Sequence, residues 1–212
     1  MSAARALLDR GLAQLALDLS AVDRERLLAY LALIEKWNRV HALTSVRDPE
    51  RMVILHLLDS LAVLGHVPEG SLADVGSGAG LPGIPIAIAQ PSRPVALIEA
   101  RAKKAAFLRQ AVIELALANV RVEHVRVEER DPAQPRFRVV IARAWGSLRS
   151  FCQRCRSLVV PGGTLVAMKA SVPAAELEEL RALGLAAVAH AVTVPLLAAQ
   201  RCAVVVRVPE AG

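Results

Sequence analysis

The sequence has few aromatic residues, few cysteines and no long uncharged apolar segment. Three cysteines, an odd number spread over 212 residues, do not form a disulfide framework, which indicates a reducing compartment. Charged residues interrupt every apolar run well before the roughly 20 residues that a membrane-spanning helix needs. We therefore expect neither a transmembrane protein nor a disulfide-stabilised secreted domain.

The composition also excludes a disordered chain, because 54% of the residues are hydrophobic and 22% are charged. Near the start of the chain, Asp9, Arg10 and Asp18 fall among apolar residues at helical spacing. This pattern differs from that of a secretory signal peptide. We expect a mature, cytoplasmic protein with no membrane association.

The net charge of +6 is unevenly distributed. Residues 1–67 contain eight basic and eight acidic groups, whereas residues 68–212 contain eighteen and twelve. Within residues 121–156, nine arginines stand against four acidic residues, a net charge of +5. Such an excess favours a polyanionic partner such as RNA.

Hydrophobic periodicity divides the chain near residue 67. Up to there, apolar residues recur at three- and four-residue steps, and Asp48-Pro49 marks a helix start. Beyond residue 70, short apolar runs alternate with helical stretches, which predicts a mostly parallel sheet covered on both faces. We predict an α/β fold in which an N-terminal helical cap, residues 1–67, packs on a Rossmann-like, seven-stranded sheet domain, residues 68–212.

A glycine-rich segment, Asp74-Val75-Gly76-Ser77-Gly78-Ala79-Gly80, follows the first predicted strand and leads into the next helix. Glycines at alternate positions let a nucleotide-like cofactor lie against bare backbone. Gly78, Gly80 and Gly83 also satisfy the dinucleotide fingerprint, which leaves a nicotinamide-dependent oxidoreductase as an alternative. Counted from Gly76, however, Leu81 stands where that fingerprint requires its third glycine.

Two acidic residues favour S-adenosylmethionine as the cofactor. Asp74, just before the glycines, suits a cationic amino acid moiety better than a pyrophosphate. Glu99 ends the second predicted strand, where a carboxylate can accept hydrogen bonds from both ribose hydroxyls. No metal is expected, because the five histidines show no ligand spacing and Cys152 and Cys155 fall within one predicted helix.

The segments around this loop resemble the glucose-inhibited division protein B family. The similar segments are WNRVHALTSVRDP (37–49), HLLDS (56–60), ADVGSGAGLPGIP (73–85), EARAKK (99–104), RVEER (126–130) and IARAWGS (141–147). The resemblance implies a class I S-adenosylmethionine-dependent methyltransferase that methylates N7 of a guanine in small-subunit (16S) ribosomal RNA. The chain departs from the family pattern at Ala42, Arg138 and Ala170.

The resemblance also implies site residues. It places cofactor contacts at Gly76, Gly78, Gly80, Leu81, Glu99, Val127, Glu128 and Arg143. Arg143 follows the fourth predicted strand, where it would face both the methyl group and the RNA, and is the predicted catalytic residue. His56 and Asp59, at i and i+3 of a cap helix, are candidates for lining the same pocket.

The chemistry of the target agrees with the residues after the fourth strand. Arg143-Ala144-Trp145 stands where amine methyltransferases commonly have Asp or Asn followed by Pro-Pro, and no cysteine nucleophile is near. Guanine N7 carries a free lone pair and no proton, so its methylation needs no general base. Catalysis would then depend on alignment and electrostatics.

The basic excess predicts the RNA-binding residues. We expect Arg136, Arg138 and Arg149, together with Lys169, to bind phosphates and Trp145 to stack on the target base or to pack in the core. The protein is expected to act as a monomer on ribosomal RNA or a ribosomal particle. A non-catalytic RNA-binding relative is the remaining alternative.

Overall fold

Seven strands form one sheet in the computed structural model, which describes residues 2–210; Met1 and residues 211–212, the ends of the two predicted domains, lie outside the described residues. The strand order is β3-β2-β1-β4-β5-β7-β6, with β1 to β5 parallel and β7 antiparallel to both of its neighbours. The strands are β1 (Leu72–Val75), β2 (Val95–Ile98), β3 (Val120–Glu123), β4 (Phe137–Arg143), β5 (Val159–Lys169), β6 (Ala187–Val192) and β7 (Arg201–Arg207). The predicted seven-stranded, mostly parallel sheet is confirmed.

Helices cover both faces of this sheet. The cap contains α1 (Ser2–Gln14), α2 (Ala21–Asn38), α3 (Pro49–Met52) and α4 (Asp59–Ala62), and the sheet domain contains α5 (Gly83–Ala89), α6 (Ala102–Glu114), α7 (Leu148–Cys155) and α8 (Ala174–Ala182). As the sequence predicts, Asp48 caps α3, because its side chain accepts a hydrogen bond from the Arg51 amide. Helix α8, in which Leu180 alone is buried, is not predicted by the sequence.

A π-helical turn, Val53–Leu58, joins α3 to α4. Hydrophobic periodicity predicts one continuous α-helix here and gives no sign of the wider turn. Such turns occur frequently at functional sites. This turn carries His56, and Asp59 follows it directly.

Cap and sheet share one hydrophobic core. A single cluster of buried residues extends from Leu8, Leu27 and Ile34 in the cap to Leu97 in β2 and Phe107 in α6. On the other face of the sheet, a second cluster joins β4 and β5 to α7 and α8. The division of the chain at residue 67 remains a prediction.

No helix within residues 2–210 is both long and apolar enough to cross a membrane.

Candidate active site

The glycine loop lies at the carboxyl edge of the parallel strands, where open α/β sheets bind their ligands. Its three glycines, Gly76, Gly78 and Gly80, have φ angles of +65°, +59° and +88°. A Cβ atom on Gly80 would lie 2.5 Å from Cδ1 of Ile84. Both the backbone conformation and the close packing of this turn therefore require glycine.

Asp74 holds the end of the glycine loop through a hydrogen bond. Its side chain is fully buried, and its Oδ2 accepts a hydrogen bond of 2.9 Å from the Gly83 amide, at the start of α5. Oδ1 has no hydrogen-bond partner among the described residues. Burial raises the pKa of Asp74 to about 7. The direct cofactor contact expected of this carboxylate remains a prediction.

Glu99 lies next to the glycine loop at the end of β2, as its spacing predicts. One carboxylate oxygen accepts a hydrogen bond from the Gly78 amide and the other accepts one from the Arg101 amide, each at 2.8 Å. The side chain is 5% exposed. A buried carboxylate that rests on two backbone amides has a fixed position, as a hydrogen-bond acceptor for a ligand hydroxyl must have.

Val127 and Glu128 begin a 3₁₀ turn after β3, at the same edge of the sheet. Val127 is buried, whereas Glu128 is exposed and forms an ion pair of 2.7 Å with Arg154 of α7. The turn follows β3, the strand next to β2, at the edge of the sheet where the glycine loop also lies.

Arg143, at the end of β4, is held by the cap. Its Nη1 donates a hydrogen bond of 3.0 Å to the Leu55 carbonyl and lies 3.4 Å from Oδ2 of Asp59. The other oxygen of Asp59 accepts a hydrogen bond of 2.8 Å from Nε of Arg201 in β7. One buried carboxylate from the cap thus joins two arginines from separate strands of the sheet.

Sequence reasoning missed Arg201. It is 142 residues from Asp59 in the chain, and only the pairing of β7 with β5 brings the two together. Tyr30 was missed for a similar reason: its hydroxyl donates a hydrogen bond to the Ala79 carbonyl, which links α2 to the glycine loop.

A cavity of about 460 Å³ opens between the cap and the carboxyl edge of the sheet, and Arg143 forms part of its wall. His56 and Asp59 line it, as the sequence suggests, together with Thr44, Met168, Lys169 and Arg201. His56 Nε2 is 3.0 Å from Oγ1 of Thr44, and burial lowers the pKa of His56. His56 is therefore uncharged at neutral pH.

Three of the predicted RNA-binding residues lie at this edge, where each has a partner within the protein. Trp145 is half-buried, and its ring lies about 3.5 Å from the position that a Cβ on Gly76 would take. Arg149 forms an ion pair of 3.0 Å with Glu179. Lys169 donates hydrogen bonds to the Gly146 carbonyl and to Glu176.

Arg136 and Arg138 lie at the opposite edge of the sheet. Arg138 is five residues before Arg143 on β4, about 17 Å away at ~3.3 Å per strand residue. It packs beside Gly70, before the start of β1. The basic window of residues 121–156 therefore does not form a single surface beside the glycine loop, although an RNA contact by these two arginines remains a prediction.

The cysteines are free and buried in the core. Burial raises the pKa of Cys152 to about 11 and that of Cys155 to about 12, so both thiols are protonated at neutral pH. No group of three or more His, Cys, Asp or Glu side chains suited to a metal ion occurs within residues 2–210.

Comparison with known proteins agrees with this arrangement. The family model for rRNA small subunit methyltransferase G (GidB) matches residues 23–204. The chain belongs to this family. Its resemblance to the glucose-inhibited division protein B family is thereby confirmed, and so is its class as a methyltransferase.

Two similar relatives are named ribosomal RNA small subunit methyltransferase G. The protein from Methylobacillus flagellatus is 53% identical over 92% of this chain and 93% of its own length. The protein from Nitrosospira multiformis is 48% identical over 93% of this chain and 94% of its own. The similarity thus spans both the cap and the sheet.

Solved structures support the fold of this GidB family member. An S-adenosylmethionine-dependent methyltransferase from Aquifex aeolicus superposes with a TM-score of 0.58 at 17% identity, covering 79% of this chain and 97% of that one. The S-adenosylmethionine-dependent methyltransferase SibL gives 0.59 at 17% identity, covering 82% and 62%.

The topology argues against the oxidoreductase alternative. Dinucleotide-binding sheets have the order 3-2-1-4-5-6 with parallel strands, whereas here β7 is inserted antiparallel between β5 and β6.

Proposed function

We propose that this protein transfers a methyl group from S-adenosylmethionine to N7 of a guanine in small-subunit (16S) ribosomal RNA. The observation that carries the proposal is the position of Arg143. It ends the strand next to β1, which carries the glycine loop, and Asp59 and the Leu55 carbonyl hold it in the wall of the 460 Å³ cavity. Family membership supports the same reaction.

The residues of the glycine loop fit an adenosyl cofactor. Gly76, Gly78 and Gly80 present backbone without side chains, and Glu99 beside Gly78 would accept the ribose hydroxyls. The turn at Val127 and Glu128 would hold the adenine, and Leu81 would contact the cofactor at the end of the glycine loop. Asp74 fixes the shape of the loop by accepting a hydrogen bond from the Gly83 amide. S-adenosylmethionine, when bound, supplies a methyl group activated by its sulfonium.

The titratable residues of the cavity suit an acceptor that carries no proton. His56 is buried with Nε2 3.0 Å from Oγ1 of Thr44, and Asp59 is shared between Arg143 and Arg201. Both oxygens of the Asp59 carboxylate are thus already hydrogen-bonded to guanidinium groups, and either would have to leave an arginine to accept a proton from a substrate. Guanine N7 needs no base, whereas an exocyclic amine requires the removal of a proton.

Arg143 is the residue that we assign to alignment of the base. The major-groove edge of guanine presents O6 beside N7, and arginine is the usual donor to this edge. A hydrogen bond from Arg143 to O6 leaves N7 free to react. Alignment of this kind can contribute effective molarities of about 10⁵ M or more.

For the remaining RNA contacts, we assign Trp145, Arg149 and Lys169 to the nucleotides next to the target and Arg136 and Arg138 to phosphates farther away. The protein would act as a monomer in the cytoplasm and without a metal. The assigned RNA contacts follow from the position of Trp145, Arg149 and Lys169 at the carboxyl edge and from the basic excess of the sheet domain.

Methyl transfer with labelled S-adenosylmethionine tests the proposal. Small ribosomal subunits that lack the modification should acquire label at N7 of one guanine, and calorimetry should show binding of S-adenosylhomocysteine. The Gly76→Asp variant should lose both, because a side chain at φ +65° is strained and would cover the bare backbone against which the cofactor is proposed to lie. RNA binding without methyl transfer would instead indicate a non-catalytic relative.

A further inference from the structure

A second cavity, of about 320 Å³, lies between the cap and the start of α6, outside the site described above. One wall is the cap loop, residues 40–43, which follows α2. The other wall contains Arg101, Lys103 and Lys104, and the three together are called the α6 cations. These cations lie after β2 and therefore at the carboxyl edge of the sheet, as the glycine loop does.

The α6 cations are available for a ligand. Among residues 2–210, none of them lies within ion-pair distance of a carboxylate. Arg101 and Lys103 are exposed, and Lys104 is partly exposed. By contrast, Arg149 and Lys169 are each already paired with a glutamate. No acidic residue occurs in the first turn of α6, and the nearby Glu99 carboxylate accepts its hydrogen bonds from the Gly78 and Arg101 amides, not from the side chains of the α6 cations.

Both walls of the cavity are fixed by contacts. The Asn38 carboxamide accepts hydrogen bonds from the Leu43 and Thr44 amides and donates one to the Thr44 carbonyl, which holds the cap loop closed. The Trp37 ring packs edge-on against Phe107 of α6, with centroids 5.6 Å apart. A cavity whose walls are held together in this way costs little conformational entropy when it takes up a ligand.

The position of Lys104 connects this cavity to the methylation site. Its Nζ lies 3.8 Å from the position that a Cβ on Gly78 would take, so the α6 cations begin at the rim of the glycine loop. An RNA whose guanine reaches Arg143 must cross the same edge of the sheet. Arg136 and Arg138, at the opposite edge, cannot neutralise the phosphates nearest to that guanine.

We infer that the cavity binds a phosphate of the substrate RNA close to the methylated nucleotide and that the α6 cations are the principal phosphate contacts at this edge of the protein. This inference rests on the proposed function. It gives the RNA two points of attachment, at Arg143 and at the α6 cations, on opposite sides of the glycine loop.

The test compares two pairs of substitutions that remove the same charge. The test pair is Arg101→Gln with Lys103→Gln, and the control pair is Arg109→Gln with Arg207→Gln, both exposed cations outside the cavity. Affinity for an unmodified small-subunit ribosomal RNA transcript is measured from about 50 to 200 mM salt. The test pair should weaken binding about tenfold near physiological salt and reduce the slope of log affinity against log salt by about 1.5, because each phosphate contact contributes roughly 0.7 to 0.9. The control pair should change the affinity and the salt slope far less.

A charge-preserving pair, Arg101→Lys with Lys103→Arg, should restore the affinity, and S-adenosylhomocysteine binding serves as the check that each variant is folded. Equal salt slopes for the test and control pairs would overturn the inference and leave the proposed function intact. The inference would also be overturned if the test pair lost affinity only for whole ribosomal subunits and not for the transcript, since the cavity would then bind a ribosomal protein. If the wild-type protein methylated neither the transcript nor small ribosomal subunits, the proposed function would fail and this inference with it.

Discussion

Replacing Asp74 with asparagine should change how the stability of the protein depends on pH. The carboxyl is fully buried, and burial raises its pKa from 3.8 to about 7. Between these values the folded protein holds a proton that the unfolded chain has released, so the free energy of unfolding falls as pH rises and levels off above pH 7. At about 1.36 kcal/mol per pKa unit the full range amounts to about 4 kcal/mol, of which about 3 kcal/mol falls between pH 5 and pH 8.

Asparagine has nearly the same shape and keeps an oxygen that can accept the hydrogen bond from the Gly83 amide. The variant cannot ionise. The difference in unfolding free energy, variant minus wild type, should therefore increase by about 3 kcal/mol from pH 5 to pH 8. Other titrating groups, His56 included, are present in both proteins and cancel in this difference.

Urea unfolding followed by circular dichroism at several pH values gives both free energies. Asp131→Asn provides the matched control, because it removes an exposed carboxylate that accepts a hydrogen bond from the Ala133 amide. The pH dependence found for Asp74→Asn is compared with the one measured for this control. A difference for Asp74→Asn that stayed constant within about 0.5 kcal/mol would refute the reasoning, because the carboxylate would then ionise equally readily in the folded and unfolded states.

Three further outcomes are expected. Gly80→Ala should destabilise the protein by about 1–3 kcal/mol in urea unfolding, because the new Cβ meets Ile84 at a backbone angle that favours glycine. Asp59→Ala should lower the free energy of unfolding by about 3 kcal/mol and slow methyl transfer, since it leaves Arg143 and Arg201 without their shared carboxylate. Burial lowers the pKa of His56, so wild type should lose stability as pH falls through about 6.5, where the unfolded histidine takes up a proton, and His56→Gln should reduce that loss.

The parts of the site that the sequence predicts are those set by local chain geometry. The glycine loop and Glu99 are examples, because a strand followed by glycines and a second strand ending in an acid place both at one edge of a parallel sheet. The predicted cap of α3 by Asp48 is local in the same sense. The mostly parallel sheet also follows, because alternating strands and helices predict it.

The parts that the sequence does not predict depend on pairing between distant segments. Arg201 reaches Asp59 only because β7 runs antiparallel beside β5, and no local pattern encodes that register. Conversely, Arg138 and Arg143 are close in sequence but lie at opposite ends of one strand. A cluster of charges in the sequence therefore identifies one surface only when it is known which of its residues lie on strands, because a strand separates residues that are close in sequence. The helix α8 was missed because a single buried leucine gives no helical periodicity.

The cap contributes to the site as directly as the sheet does. From the cap come the Leu55 carbonyl and Asp59 that hold Arg143, and the Tyr30 hydroxyl that binds the glycine loop at Ala79. The sheet edge alone would leave Arg143 free to adopt many rotamers, and a residue that aligns two reactants must lose that freedom before the reaction. The π-helical turn has its role here, since it carries the Leu55 carbonyl and places Asp59 directly after it. The fixed position of Arg143 is thus set where the two halves of the chain meet.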